Sequence, residues 1–212
     1  MRELTIVKVC GMTRPEDAQV AAEAGATAIG LIFHPLSPRA VNVDQARRVA
    51  DSVPEGVLRV GVFVNQSAER MAAVADEVGL DVLQLHGDES PETAAALAGR
   101  RVWKAFRVEP STHFASLAEY GCEAFVLDAP TAMFGGSGVT FPWTRAREAQ
   151  RFGKIILAGG LESANVAEAI QQVRPWGVDA SSRLERSPGI KDPEKVRAYL
   201  AAARACATIG GR

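Results

Sequence analysis

Two apolar runs end in a side chain able to move protons. VKVCGMT, residues 7–13, closes on the thiol of Cys10 and turns at once through Gly11; AFVLDAP, residues 124–130, closes on the carboxylate of Asp128. Inside such a run a cysteine is a small hydrophobe. At its end, before a glycine that lets the backbone turn sharply, the sulfur faces open space. A thiol and a carboxyl placed this way form a candidate acid–base pair, and general acid–base catalysis contributes roughly 10²–10⁴-fold.

Three further stretches look built to hold an anionic substrate beside that pair. LAGGLESANVAEAI passes through Gly159 and Gly160 into a helical pattern with Ser163 and Asn165 at its start. Glycines allow close backbone approach, and a helix N-terminus offers partial positive charge and unpaired N–H groups. VDASSRLERSPGIKD places Ser181, Ser182 and Arg183 after another apolar run, so the two stretches together read as a phosphate site. HPLSPRAVN carries Arg39, whose guanidinium can grip a carboxylate with two bonds. His86, at the end of the run LQLHG, is the histidine best placed to line a pocket; His34 and His113 read as structural, and none has ligand-like spacing. Taken singly, Cys10 reads as core, Asp128 as a cap and Arg39 as a solvated charge. The combination carries the functional reading.

The elements that must position these residues repeat along the chain. Strand patterns TIVKVC, AIGLIF, LRVGVFV, VLQLHG, RVWKAFRV, AFVLDA, KIILAG and GVDASS alternate with helical ones: PEDAQVAAEAG, VDQARRVADSV, SAERMAAVADEVG, SPETAAALAG, HFASLAEYG, RAREAQRFG, NVAEAIQQV and PEKVRAYLAAARA. Several of the helices begin at Ser, Asp or Pro and stop at Gly. The strands are nearly continuous apolar runs, as in a parallel sheet covered on both faces. Eight β/α units in 212 residues predict an α/β chain forming one (β/α)8 (TIM) barrel over residues 1–212. An open doubly wound sheet lacks support, because neither GxGxxG nor GxxxxGK[ST] occurs. In a barrel the active site forms at the C-terminal ends of the strands, where Cys10, His86, Asp128, Gly159 and Ser181 fall.

Composition narrows the partners. Hydrophobic residues are 47% and charged residues 23%, with a formal net charge of −1, which points to no nucleic acid or anionic membrane. Cys10, Cys122 and Cys206 are an odd count without CxxC spacing, which argues for a reducing compartment. With no signal-peptide pattern and no apolar stretch near the roughly 20 residues a bilayer span needs, the expected location is the cytoplasm. No metal and no cofactor is called for. A monomer is expected, with a homodimer open. FGGSGVTF, residues 134–141, is neither a GxSxG elbow, because Val139 interrupts it, nor a phosphate loop, and reads as a lid hinged on its glycines between Gly135 and Gly138.

VKVCGMT, GLIFHPLSPRAV, RVGVFVN, LQLHGDE, VLDAP, FGGSGVTFPW, LAGGL and SPGIKD, in this order, span nearly the whole chain. Together they resemble the phosphoribosylanthranilate isomerases of tryptophan biosynthesis. The resemblance implies an Amadori rearrangement, the third step from chorismate to tryptophan: N-(5-phosphoribosyl)anthranilate becomes 1-(2-carboxyphenylamino)-1-deoxyribulose 5-phosphate. It implies Asp128 as general acid, Cys10 as general base and Arg39 on the anthranilate carboxylate. On that assignment Asp128 needs its acidity lowered, by burial, and Cys10 needs its thiolate favoured, by nearby donors or the phosphate-binding helix end. The family pattern DVSSGVE reads DASSRLE here, so Arg183 stands where a glycine is usual; it either strains a backbone that needs positive φ or adds charge for the phosphate. GVTFPW likewise departs from GKTFDW at Val139 and Pro142.

Three alternatives stand beside this one. The aminoaldose isomerase of histidine biosynthesis runs the same chemistry but is associated with two aspartates, one at the position Cys10 holds. An indole-glycerol-phosphate synthase needs a strand-end lysine and glutamates that do not appear as a set. A barrel that binds a phosphoribosyl ligand without turning it over has no need of the Cys10, Asp128 and Arg39 combination.

Overall fold

The computed structural model describes residues 4–109, 112–128 and 143–209. Eight parallel strands close into a barrel: β1 (Ile6–Cys10), β2 (Ala28–Ile32), β3 (Leu58–Phe63), β4 (Val82–Leu85), β5 (Arg101–Arg107), β6 (Ala124–Asp128), β7 (Lys154–Ala158) and β8 (Gly177–Ala180), with β8 paired back onto β1. All eight fall where the apolar runs placed them. Helices α1 (Pro15–Glu23), α2 (Val43–Asp51), α3 (Ala68–Val78), α4 (Pro91–Ala95), α5 (Trp143–Ala149), α6 (Val166–Val173) and α7 (Pro193–Ile209) follow the strands.

Local chemistry sets many of the boundaries. Asn42, Ser67 and Ser90 each accept a backbone N–H from the first turn of α2, α3 and α4, a cap worth about 1 kcal/mol. Pro15 and Pro91 open α1 and α4 with φ already set for a helix. The α3 helix ends at Gly79 in the left-handed region.

Strand alternation divides the core in two. Outward side chains such as Val7, Val9, Ile29, Leu31, Leu83 and Leu127 join the helices in the larger cluster. Inward ones from β1 to β7 form a separate cluster that includes Ile6, Val60, Trp103, Val126 and Ile156. The inner face of β8 adds no apolar side chain to it: Gly177 pairs with Ile6 and Asp179 with Lys8 across the closing seam. Lys8 and Asp179 are both buried.

Two segments differ from expectation. The pattern at 113–121 predicts an α-helix, but Phe114–Glu119 forms a 3-10 helix. Its buried residues, Phe114 and Leu117, lie three apart and so face one side of a three-residue turn. After β8 the chain makes a 3-10 turn, Ser182–Leu184, and a short antiparallel hairpin of β9 (Glu185–Ser187) and β10 (Ile190–Lys191) before α7. The 3-10 turn stands where barrels of this kind often carry an extra short helix; the hairpin has no strand-like pattern in the sequence. Among the described residues no helix is long and apolar enough to cross a membrane.

Candidate active site

Cys10 is the last residue of β1, and its thiol is buried. Room for it comes from the neighbouring strand: a Cβ at Gly30, the register partner of Cys10, would stand 2.5 Å from the sulfur. Gly11 follows with φ of +79°, so the chain leaves the strand in a conformation that side chains disfavour. Its open side is filled by the stem of Arg39, whose Cδ a Cβ there would meet at 2.6 Å. Ser181 donates its hydroxyl to the Cys10 carbonyl at 3.0 Å, tying the ends of β1 and β8 together.

Charge surrounds the thiol. Lys8, two residues earlier on the same strand face, donates from Nζ to Asp179 Oδ2 at 2.5 Å, the other carboxylate oxygen of Asp179 being buried without a partner. Lys191, on β10, reaches Glu185 Oε1 at 2.9 Å and the Ser181 carbonyl at 3.2 Å. Arg39 forks onto Glu185 with two 2.7 Å bonds, Nε to Oε1 and Nη2 to Oε2. Burial pushes the Cys10 thiol above its ordinary value, against the pull of Lys8 and, further off, Lys191. The expected depression is therefore absent in the resting site. The lysines that favour the thiolate come from β1 and β10, and the loss of hydration outweighs them. Burial acts downward on Lys8, yet Asp179 and Cys10 hold it above its ordinary value, so the ammonium is kept.

Across the mouth, Asp128 ends β6 with its side chain 38% exposed, and the burial expected of it is not found. As the terminal residue of its strand, it projects past the packed layers of the barrel. His86 Nε2 stands 3.6 Å from Asp128 Oδ2. The Gln84 side-chain amide meets His86 Nδ1 at 2.9 Å. The loop holding His86 is anchored by buried Glu89, which accepts the N–H groups of Asn65 and Gly87 and pairs with buried Lys104 at 3.0 Å.

Gly159 and Gly160 leave β7 with φ of +85° and +64°. Asn165 then folds its side chain back, accepting from the Glu162 N–H and donating to the Gly160 carbonyl. Between this turn and the one after β8 lies a cavity of about 270 Å³ lined by Glu162, Ser163, Ser182, Arg183, Leu184 and Lys195. Arg183 sits in the 3-10 turn and is not among the described non-glycine residues of positive φ. The strain alternative is thereby removed, and its cation faces the cavity beside Glu162, 4.0 Å away.

Reasoning from the sequence missed Lys8, Asp179, Glu185, Lys191 and Lys195. Lys8 and Asp179 interrupt otherwise apolar strands, which is the one signal that could have found them. The others depend on a hairpin and a helix start whose position over the barrel mouth only the fold defines. Among the described residues, no three His, Cys, Asp or Glu side chains are grouped as metal ligands would be. The lid expected at 134–142 lies outside the described residues.

Comparison with known proteins narrows the chemistry. The family model for N-(5'-phosphoribosyl)anthranilate isomerase matches residues 7–202. The chain belongs to this family. The N-(5'-phosphoribosyl)anthranilate isomerase of Citrifermentans bemidjiense is 47% identical over 207 residues, covering 97% of this chain and all of the relative. The crystal structure of phosphoribosyl anthranilate isomerase from Thermotoga maritima superposes with a TM-score of 0.86 at 37% identity, covering 95% of this chain and 99% of that one. A second isomerase structure holds reduced 1-(o-carboxyphenylamino)-1-deoxyribulose 5-phosphate; it matches with a TM-score of 0.83 at 36% identity, over 95% and 99% of the two chains. Membership of this isomerase family accords with the closed barrel and with polar side chains gathered at its strand ends.

Proposed function

We propose that the chain catalyses the Amadori rearrangement of N-(5'-phosphoribosyl)anthranilate, with Asp128 as general acid and Cys10 as general base. The phosphate sits between the β7 and β8 turns, where Ser182 and Arg183 line the cavity and Gly159, Gly160 and Ser181, which do not line it, form the adjoining strand ends. Arg39 meets the anthranilate carboxylate with the guanidinium edge that Glu185 leaves free. Asp128 donates its proton to the furanose ring oxygen, which leaves C1 as the sugar opens to an iminium. Cys10, as thiolate, removes the C2 proton to give the enolamine. C1 then gains a proton as the C2 hydroxyl loses its own, leaving the ketone and no net change in protons. His86, whose Nε2 stands 3.6 Å from Asp128 Oδ2, stabilises the carboxylate left after the first transfer.

The observation that supports this reading best is the placement of Cys10 and Asp128 at strand ends on one barrel mouth, with a polar cavity beside them at β7–β8. The substrate is a small phosphorylated molecule, as in the relative solved with the reduced product analogue. The free thiols of Cys10, Cys122 and Cys206 support a cytoplasmic setting. We take residues 1–212 as one domain, supported by closure of β8 onto β1, and as a monomer. The large apolar side chains exposed among the described residues, Leu36 and Ile190, form no broad face, although the Thermotoga maritima relative is described as dimeric.

The test is turnover: generate phosphoribosylanthranilate in situ and follow the loss of anthranilate fluorescence with catalytic amounts of protein. Turnover abolished by Cys10→Ala and by Asp128→Ala supports the assignment. Folded, reduced protein without turnover refutes it.

A further inference from the structure

A buried general base needs a reason to ionise, and the resting geometry withholds one from Cys10. Burial outweighs the cations around it. The charged groups facing the thiol are few and can be taken in turn. From β10 comes Lys191, whose Nζ is spent on Glu185 and the Ser181 carbonyl. From the loop after β2 comes Arg39, forked onto the same Glu185. From β8 comes Asp179, an anion that opposes the thiolate. From β1 itself comes Lys8, fully buried and one inward position below Cys10 on the same strand face.

With Glu185, the partner of Lys191 and Arg39, these four groups make three cations against two carboxylates. The cluster has an excess of one positive charge, which a thiolate at Cys10 neutralises. Lys8, on the same face of β1, is the cation that acts most strongly on the thiol, and its 2.5 Å bond to Asp179 fixes where that charge stands. The pair is costly to bury and lies on the floor of the site, below the turns assigned to the phosphate.

We propose that Lys8 is a positioning residue for the catalytic thiol: anchored on Asp179, its ammonium is the counter-charge against which Cys10 becomes a thiolate. Asp179 sets the strength of that effect, because the charge it neutralises on Lys8 is charge withheld from Cys10. The inference rests on Cys10 acting as base, but its sign pattern is independent of turnover. Removing the lysine charge raises the pH at which the thiolate forms; removing the aspartate charge lowers it.

The experiment is a pH titration of thiolate absorbance near 240 nm, taken for each variant as the difference from its Cys10→Ala counterpart. In Lys8→Met the midpoint rises by about one pH unit or more, the scale of an adjacent opposite charge. In Asp179→Asn it falls. The double variant Lys8→Met/Asp179→Leu, with an apolar pair that removes the folding cost of a lone buried charge, keeps its circular dichroism and still titrates above wild type. Its kcat near neutral pH drops about tenfold or more, in step with the thiolate fraction, while KM stays within about twofold and high pH restores kcat. An unchanged midpoint in the folded double variant, or shifts of the same sign in Lys8→Met and Asp179→Asn, overturns the proposal. Turnover surviving in Cys10→Ala refutes the base assignment instead, and leaves the titration to judge Lys8 separately.

Discussion

Cys10 and Asp128 occupy equivalent strand ends in different surroundings, and the difference predicts how each tolerates change. The thiol sits among buried charges, whereas the carboxylate stands at a half-open rim. Asp128→Asn keeps the shape but cannot give up a proton, so kcat falls about 10²–10⁴-fold with little change in thermal stability. Arg39→Met strikes binding and structure together. It removes the proposed anthranilate contact, raising KM, and also leaves the Glu185 carboxylate with Lys191 as its remaining partner. Arg183→Gly tests the chain's departure from its family. Because the 3-10 turn needs no positive φ here, glycine gains no relief of strain and costs about 0.5–1 kcal/mol in backbone entropy. The lost cation raises KM several-fold, a change that steady-state kinetics over a range of salt concentrations would separate from stability.

Elements were far easier to read from the sequence than their contacts. Each strand announced itself by a short apolar run between turn residues, and the repeat of eight fixed the architecture. Once the barrel was assumed, topology placed Cys10, His86, Asp128 and Gly159 on one mouth. The segment at 113–121 misled because Phe114 and Leu117 satisfy both helical periods. The Glu185–Lys191 hairpin escaped because so short a ladder carries no alternation to detect. Gly30 was invisible for a plainer reason: a glycine in an apolar strand gives no sign of what its missing side chain makes room for. Gly30→Ala therefore drives a Cβ into the sulfur of Cys10 from the next strand. Overpacking of this kind costs about 1–3 kcal/mol, and displacement of the thiol lowers kcat more than it raises KM. Chemical denaturation beside steady-state kinetics measures both; a variant with wild-type values for each disproves the close approach.

For the whole molecule, the charges over the mouth link catalysis to stability. Burial pushes the Glu185 carboxyl up, but hydrogen bonds from Arg39 and Lys191 more than compensate and hold it below its ordinary value of 4.5. A carboxylate depressed on folding stabilises the fold above its unfolded value, and that contribution is lost as pH falls through the lower folded value. Thermal unfolding followed downward from pH 6 should show a loss of Tm below about pH 4.5 that is smaller in Glu185→Gln. The variant starts from a lower Tm, because Arg39 and Lys191 lose their counter-charge.

The seam between β1 and β8 joins groups 171 positions apart, Lys8 and Asp179. In a chain leaving the ribosome at roughly 5–20 residues per second, the lysine is made about 10–30 s before its aspartate. Over that interval its ammonium lacks Asp179, and the first strand is better hydrated than docked. The last barrel strand, β8, with Ser181 after it, then works as a latch: it supplies the missing charge, the inner wall and the tether on the Cys10 carbonyl in one docking step. Translation products that stop short of it lack both the latch and the completed mouth, which makes an unfinished chain easy prey for proteolysis rather than a faulty catalyst.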